Sequence, residues 1–452
     1  MHNTHPASGW YSTNGQAPLA SLQKAVVKGL AEDRGLYMPE HIVRLPDEFF
    51  RHIDQLSFAD MSCVVADAFF GEDVPQDELH RIVRDTLSFD TPLVQVEDNI
   101  YTLELFHGPT LAFKDVGARF MARLLQFFIR QEGGQQEVNV LVATSGDTGS
   151  AVANGFLGVE GIRVFVLYPK GKVSPIQECQ FTTLGRNITA VEVDGVFDDC
   201  QALVKNAFMD EELNSHLRLT SANSINVARF LPQAFYYFNA YAQMRRLDPE
   251  AEGHIVVCVP SGNFGNICAG LFAKKMGLPV SRFIAANNAN DIFLQYLRTG
   301  NYTPRPSVQT LANAMDVGDP SNFARVYELY GRSHQAICQD ISGAAYTDEQ
   351  IARTIREVYD STGYLLDPHG ACGYQALADH LQPGERGIFL ETAHPAKFKD
   401  KMDVLLSRPV AIPPRLAAFM QGEKRSVPMP NDFTAFKEFL LRQPNAARQA
   451  GR

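Results

Sequence analysis

Apolar residues in the first part of the chain recur with a helical spacing. Leu22, Ala25, Val26, Gly29 and Leu30 fall at i, i+3, i+4, i+7 and i+8, one face of a 3.6-residue helix. Phe49 to Ile53 and Val64 to Phe70 predict further helices, and Thr91-Pro92-Leu93 predicts a break. From Val138 the pattern changes to short apolar runs: Val138–Ala143, Arg163–Leu167, Ile188–Val193, Ile255–Val259, Phe283–Ala286 and Ile388–Leu390. Runs this short, without alternation, read as strands buried on both faces. Between them lie helical stretches at Ser150–Phe156, Ser174–Leu184, Phe197–Met209, Ala234–Met244 and Asn266–Met276. Strands alternating with helices imply βαβ units and a parallel sheet, so the expected fold class is α/β. No internal repeat is visible. Residues 300–350 are less regular and read as an insertion, and the polar residues after about 440 predict a frayed end.

Composition narrows the class of protein. A chain of 452 residues allows about three domains at about 150 residues each. With 45% apolar and 20% charged residues it is neither a disordered chain nor a coiled coil. The net charge, 41 − 51 = −10, argues against a nucleic-acid partner but leaves room for a local basic pocket. No run approaches the roughly 18 apolar residues of a membrane span. Met1 to Pro6 has neither a basic n-region nor an apolar h-region, so no signal peptide is expected. Seven scattered cysteines, odd in number and without a C-x-x-C pair, point to reduced thiols and a cytoplasmic location. His369 and Cys372 form only a two-ligand fragment, so no metal is expected.

Three segments could carry chemistry. Ser261-Gly262-Asn263-Phe264-Gly265-Asn266 follows a predicted strand and precedes a predicted helix. Such a turn points backbone N–H groups at an anion, and the helix dipole adds about half a positive charge. An ordinary βα turn would look the same. Thr144-Ser145-Gly146-Asp147-Thr148-Gly149 has the same setting and adds two threonine hydroxyls and a serine. Neither loop is a G-x-G-x-x-G fingerprint, and Gly171-Lys172-Val173 is not a Walker sequence. The third segment is Glu104 to Asp115, where a Gly-Pro turn leads to Leu111-Ala112-Phe113-Lys114. A lysine among apolar neighbours can be desolvated, which lowers its pKa and frees the amine as nucleophile or base. A surface lysine with a buried stem is the alternative. A nucleophilic lysine together with an uncharged phosphate cradle suits pyridoxal phosphate, which needs an amine for its aldehyde and donors for its phosphate.

These motifs, taken in order, resemble a known family. Gly29-Leu30-Ala31, Gly35-Leu36-Tyr37, His107-Gly108-Pro109-Thr110, Phe113-Lys114-Asp115, Thr144 to Gly149 and Lys172-Val173-Ser174-Pro175 match the threonine synthases. So do Phe197-Asp198-Asp199-Cys200, Asn223-Ser224-Ile225-Asn226, Ser261 to Asn266, Asn288 to Asp291, Ala314 to Val317, Asp367-Pro368-His369 and Thr392 to Phe398. The resemblance runs from about residue 10 to about 420 and is to the longer bacterial and fungal type. It implies a fold type II pyridoxal-phosphate enzyme with two open parallel-sheet subdomains, helices on both faces and a helical N-terminal domain. The implied boundaries are 1–90 for the N-terminal domain and 91–425 for the catalytic region. Within the latter, about 118–225 would be a smaller mobile subdomain, with 91–117 and 226–425 the larger one. Residues 426–452 would be a C-terminal tail.

By this resemblance Lys114 carries pyridoxal phosphate covalently, and Gly262, Asn263, Phe264, Gly265 and Asn266 bind its phosphate. Thr392 would bond the pyridine nitrogen. Ser145, Gly146, Asp147 and Thr148 would hold the substrate carboxylate, although an anionic Asp147 beside the cofactor's phenolic oxygen is an unfavourable pairing. Lys172 and Ser174 are implied for the substrate phosphate, with Lys170, Ser12, Thr13, Arg229 and Lys397 as further candidates. The chain departs from the family in reading Ser12-Thr13-Asn14-Gly15 where many relatives have Arg in the third place, and in having Arg34 for a common glycine. The implied reaction converts O-phospho-L-homoserine and water to L-threonine and phosphate, in a monomer or homodimer without nucleic-acid or membrane partners. A phospho-lyase releasing 2-oxobutanoate, or a non-catalytic relative, would share most of these motifs.

Overall fold

The computed structural model describes residues 9–133 and 137–443, so Met1 to Pro6 and the last residues of the expected tail, 444–452, lie outside it. Two parallel sheets organise the chain. The larger is built from β3 (Leu93–Glu97), β4 (Ile100–Glu104), β9 (Ile255–Pro260), β10 (Arg282–Asn287), β11 (Ile341–Ala345) and β12 (Arg386–Glu391), in the order β11-β10-β9-β12-β4-β3. All its pairings are parallel except the β3–β4 hairpin at one edge. The smaller contains β5 (Val138–Ala143), β6 (Ile162–Pro169), β7 (Ile188–Asp194), β8 (Arg218–Ser221) and β13 (Val427–Pro430), in the order β13-β7-β6-β5-β8, all parallel. β1 (Trp10–Ser12) and β2 (Tyr37–Pro39) pair antiparallel in the otherwise helical N-terminal region.

The unbroken apolar runs follow from burial on both faces. Along β5, Val138, Val140 and Val142 enter one core while Leu141 and Ala143 enter another. Along β9, Ile255, Val257 and Val259 join that same first core, and Val256 and Cys258 enter a third. Residues at i and i+2 share a face of a strand, so each strand serves two cores at once. The first core is continuous between the two sheets and takes in the N-terminal helices through Val26, Ile53 and Phe70.

Three expectations need correction. Thr91-Pro92-Leu93 is not only a break: the hairpin β3–β4 begins there and brings the chain into the larger sheet. Residues 300–350 are irregular only in part, because β11 is the edge strand of the larger sheet. The segment after 426 is not a tail. β13 pairs with β7, and in the helix Phe433–Leu441 the side chains of Phe436 and Leu440 are wholly buried against the smaller sheet. Two apolar side chains four apart give that helix one buried face against the smaller sheet.

Candidate active site

In both sheets the loops at the carboxyl ends of parallel strands converge on one cavity of about 350 Å3. Open α/β sheets place ligands there. Loops after β4, β5, β6, β8, β9 and β12 all contribute to its wall. Lys114, Ser145, Thr148, Lys172, Gly262 to Asn266 and Thr392 line it. Gly146, Asp147 and Ser174 are not on the wall.

Lys114 is the first residue of the helix Lys114–Gln131 and opens into the cavity. Desolvation lowers its amine pKa to about 8; the nearby Asp147 carboxylate opposes that shift, while Arg229 and Lys397 add to it. The turn before it is tightly held. Asp115 accepts from the Thr110 N–H at 2.9 Å and from the Thr110 hydroxyl at 2.7 Å. The Phe113 N–H donates to the Thr392 carbonyl at 2.9 Å, and the His394 N–H to Leu111 at 3.0 Å. The lysine and Thr392 are thereby fixed to adjacent backbone.

The glycine turn after β9 leads into the helix Gly265–Lys275, with Phe264 in the left-handed region at φ 64°. The first N–H groups of that helix have no intrahelical partner. Tyr236 and Tyr237 each donate to Asn266 Oδ1 at 2.7 Å, which leaves the buried Asn266 Nδ2 without an acceptor in the protein. An orphaned donor beside a helix N-terminus fits a phosphate group. Gly262 is required by close approach, because a Cβ there would lie 2.6 Å from the Ala314 carbonyl oxygen.

The Thr144–Gly149 loop is wound on its own hydroxyl: Thr144 Oγ1 accepts from Gly146 N at 2.9 Å and Gly149 N at 2.7 Å. This turns the start of the helix Asp147–Gly155 toward the cavity and presents Ser145 and Thr148. Asp147 itself is buried and bonded to Lys397 Nζ at 2.7 Å and Gln177 Nε2 at 2.8 Å. Burial pushes its carboxyl up, but the Lys397 and Lys114 charges and these two bonds outweigh that and hold it at about 2.

The other predicted groups are dispersed. Ser174 caps the helix Pro175–Thr182 and donates to the Lys397 carbonyl at 2.9 Å. Lys170 is exposed and off the wall. Ser12 bonds Asp33 at 2.6 Å and Thr13 accepts from the Leu36 N–H at 2.9 Å, both in the N-terminal hairpin. Arg34, the departure from a common glycine, sits beside them at φ 69°, the region where glycine is strain-free. Arg229 does reach the wall, but its guanidinium donates to the carbonyls of Ala222 at 2.8 Å and Lys114 at 3.3 Å. Burial lowers its pKa to about 10.

His369 and the segment Asn313 to Val317 also line the cavity. His369 Nδ1 lies 2.5 Å from Asp367, and its Nε2 accepts from the Ala314 N–H at 3.1 Å, which fixes the wall opposite Gly262. Cys372 plays no part with it; its thiol faces the Pro368 carbonyl. The family motifs hold these residues, but spacing alone gives no signal of their place.

Comparison with known proteins adds to this geometry. Residues 86–392 match the model of the pyridoxal-phosphate dependent enzymes, 9–87 the threonine synthase N terminus and 370–440 the threonine synthase C-terminal region. Threonine synthase of Serratia marcescens is 47% identical over 94% of this chain and 97% of its own. The crystal structure of threonine synthase from Escherichia coli superposes with a TM-score of 0.89 at 44% identity, covering 96% of this chain and 99% of that one. The pyridoxal-phosphate-bound threonine synthase from Brucella melitensis also gives 0.89, at 36% identity, over 96% and 99%.

Proposed function

The chain belongs to the threonine synthase family of pyridoxal-phosphate-dependent enzymes, and we propose that it converts O-phospho-L-homoserine and water to L-threonine and inorganic phosphate. The observation that carries this reading is the single cavity that joins a desolvated lysine to an amide-lined anion cradle with an unpaired donor. Lys114 would hold the cofactor covalently, Gly262 to Asn266 its phosphate, and the Thr392 hydroxyl its ring nitrogen. A hydroxyl, unlike a carboxylate, does not keep that nitrogen protonated. When bound, the cofactor supplies a conjugated ring that takes up electrons from the carbon being deprotonated.

The protein's own groups do the rest. Ser145, Thr148 and the free N–H groups at the start of the helix Asp147–Gly155 bind the substrate carboxylate. Lys172, exposed at the wall, meets the phosphate ester. The Lys114 amine, whose pKa burial lowers to about 8, moves protons at the substrate's α, β and γ carbons. Water must add at the β carbon only after phosphate has left, or the intermediate would be lost to side reactions. The seven cysteines are free and most are buried, which supports a cytoplasmic location. No helix among the described residues is long and apolar enough to cross a membrane.

Purified enzyme given O-phospho-L-homoserine should release threonine and phosphate in equal amounts. Lys114→Ala should lose turnover and the covalent cofactor link while the apoprotein stays folded. Keto acid as the main product, or near-normal turnover in Lys114→Ala, would overturn the reading.

A further inference from the structure

We propose that Lys397 is a positioning residue whose buried ammonium ties the turn before Lys114 to the Ser145–Thr148 loop, with Asp147 as its counter-ion rather than a substrate ligand. The inference rests on the assignment of both loops to the active site. The Lys397 side chain is 0% exposed and that of Asp147 4%. Lys397 Nζ lies 2.7 Å from Asp147 Oδ1 and donates to the Thr110 carbonyl at 2.8 Å. Thr110 belongs to the turn that ends at Lys114, and Asp147 begins the helix that presents Ser145 and Thr148. One ammonium therefore holds both walls.

The helix Pro175–Thr182 braces the same two points. Gln177 donates to Asp147 Oδ1 at 2.8 Å and Gln180 to the Thr110 carbonyl at 3.0 Å. Ser174, at the head of that helix, donates to the Lys397 carbonyl at 2.9 Å. Lys397 follows β12 of the larger sheet, whereas Asp147 and Ser174 follow β5 and β6 of the smaller. The ion pair thus crosses from one sheet to the other. Neither of its members lines the cavity, so its effect on substrate passes through the loops.

A buried ion pair adds little stability over an apolar pair of the same size, but removing one partner strands a charge. What it supplies is register: Lys397 and Asp147 meet only when the two loops sit as they do here. Gly146 fits the same picture, because a Cβ there would meet the Gln177 side chain at 2.5 Å. The loop is pressed against the bracing helix.

The test uses Lys397→Met, Asp147→Asn and the double variant in the holoenzyme, with Lys114→Ala alongside. Apoprotein melting temperature and the affinity of apoprotein for pyridoxal phosphate are measured as well. Each single variant should lose about 30-fold or more in kcat/KM at a temperature where it is fully folded, with the substrate KM raised. Lys397→Met should also weaken cofactor binding by about fivefold or more. The double variant should lose no more than the worse single, a coupling of about 30-fold or more. Losses that multiply in the double variant would overturn the proposal, since independent substrate contacts behave that way. So would Lys397→Met with wild-type KM, kcat and cofactor affinity. Should a single variant fail to fold, the double, which strands no charge, should fold and still show reduced kcat/KM; wild-type activity in it would refute positioning. Persistent turnover in Lys114→Ala would instead reject the site assignment itself.

Discussion

Gly262→Ala tests the phosphate cradle directly. The added methyl would lie 2.6 Å from the Ala314 carbonyl oxygen and 3.1 Å from Met315 Cα, where ordinary contact begins at 3.4 Å. Both obstacles are backbone, and neither side can yield easily. Ala314 is held by the His369 ring at 3.1 Å, and Met315 N donates to Ala312 at 3.0 Å. On the other side Ser261 N donates to Ala286 at 2.8 Å, and the Ser261 hydroxyl to Val259 at 2.8 Å. The turn must therefore shift by most of an ångström into the cradle. Overpacking of this kind costs about 1–3 kcal/mol. If the cost falls on the bound state, cofactor affinity drops about 5- to 150-fold, since about 1.4 kcal/mol is tenfold. Titration of the apoprotein with pyridoxal phosphate, followed by absorbance, reads this number. Thermal unfolding of the apoprotein reads any part that falls on folding instead. Affinity and melting temperature both unchanged would refute the cradle geometry.

Three further outcomes are expected. Below pH 8 the folded apoprotein carries the Lys114 charge at a desolvation cost; between about pH 8 and 10.5 it has lost a proton that the unfolded chain keeps, so stability rises with pH there. Lys114→Met apoprotein should therefore be more stable at pH 7 by on the order of 1–3 kcal/mol, an advantage that fades toward pH 10.5, and urea midpoints showing a pH-independent gap would contradict this. Phe436→Ala should cost about 3–5 kcal/mol of folding free energy, because that ring is wholly buried against the smaller sheet; a melting temperature within a degree of wild type would show the C-terminal helix to be dispensable. Lys172→Gln should raise the substrate KM more than it lowers kcat and should weaken the salt dependence of KM, which steady-state kinetics at two ionic strengths will show.

Much of this was legible in sequence, for identifiable reasons. Strands buried on both faces leave unbroken apolar runs, so β5, β7, β9, β10 and β12 stand out without any contact information. β3 opens beside Pro92, so Thr91-Pro92-Leu93 reads as a break, and the short run of β4 is passed over. β13 carries prolines at both its second and last positions, and prolines fit edge strands. Its place was invisible because the partner, β7, lies far back along the chain. In the site, Lys114 and the glycine turn could be singled out because local chemistry marks them, whereas Thr392 is named only through the family resemblance. Asp147 and Lys397 could not be paired, since each looks like a free charge for an anionic substrate until the fold brings them within 2.7 Å. His369 was hidden for the same reason: its partners, Asp367 and Ala314, include a backbone amide that no sequence pattern announces.

The pairing of Lys397 changes how a chain with a net charge of −10 can hold two phosphates. Among the described residues, Lys114, Lys172 and Arg229 line the cavity and Lys397 is buried behind its wall. Lys397 is neutralised by Asp147, Arg229 donates from Nε and from one terminal nitrogen to two carbonyls, and Lys114 would be reserved for the cofactor. Lys172, which is exposed at the cavity wall and has no carboxylate partner among the described residues, is the group proposed for the substrate phosphate. On the proposed assignment the cofactor phosphate would sit at the opposite kind of place, against backbone amides and a buried asparagine, where nothing needs to leave. Amides and a helix dipole hold an anion permanently without adding mobile charge. A single solvated lysine holds its anion through a screened attraction, weak enough to let go. On this reading the two phosphates would be distinguished by how they are bound: one is a fixture, and the other is a leaving group that must reach solvent in every turnover.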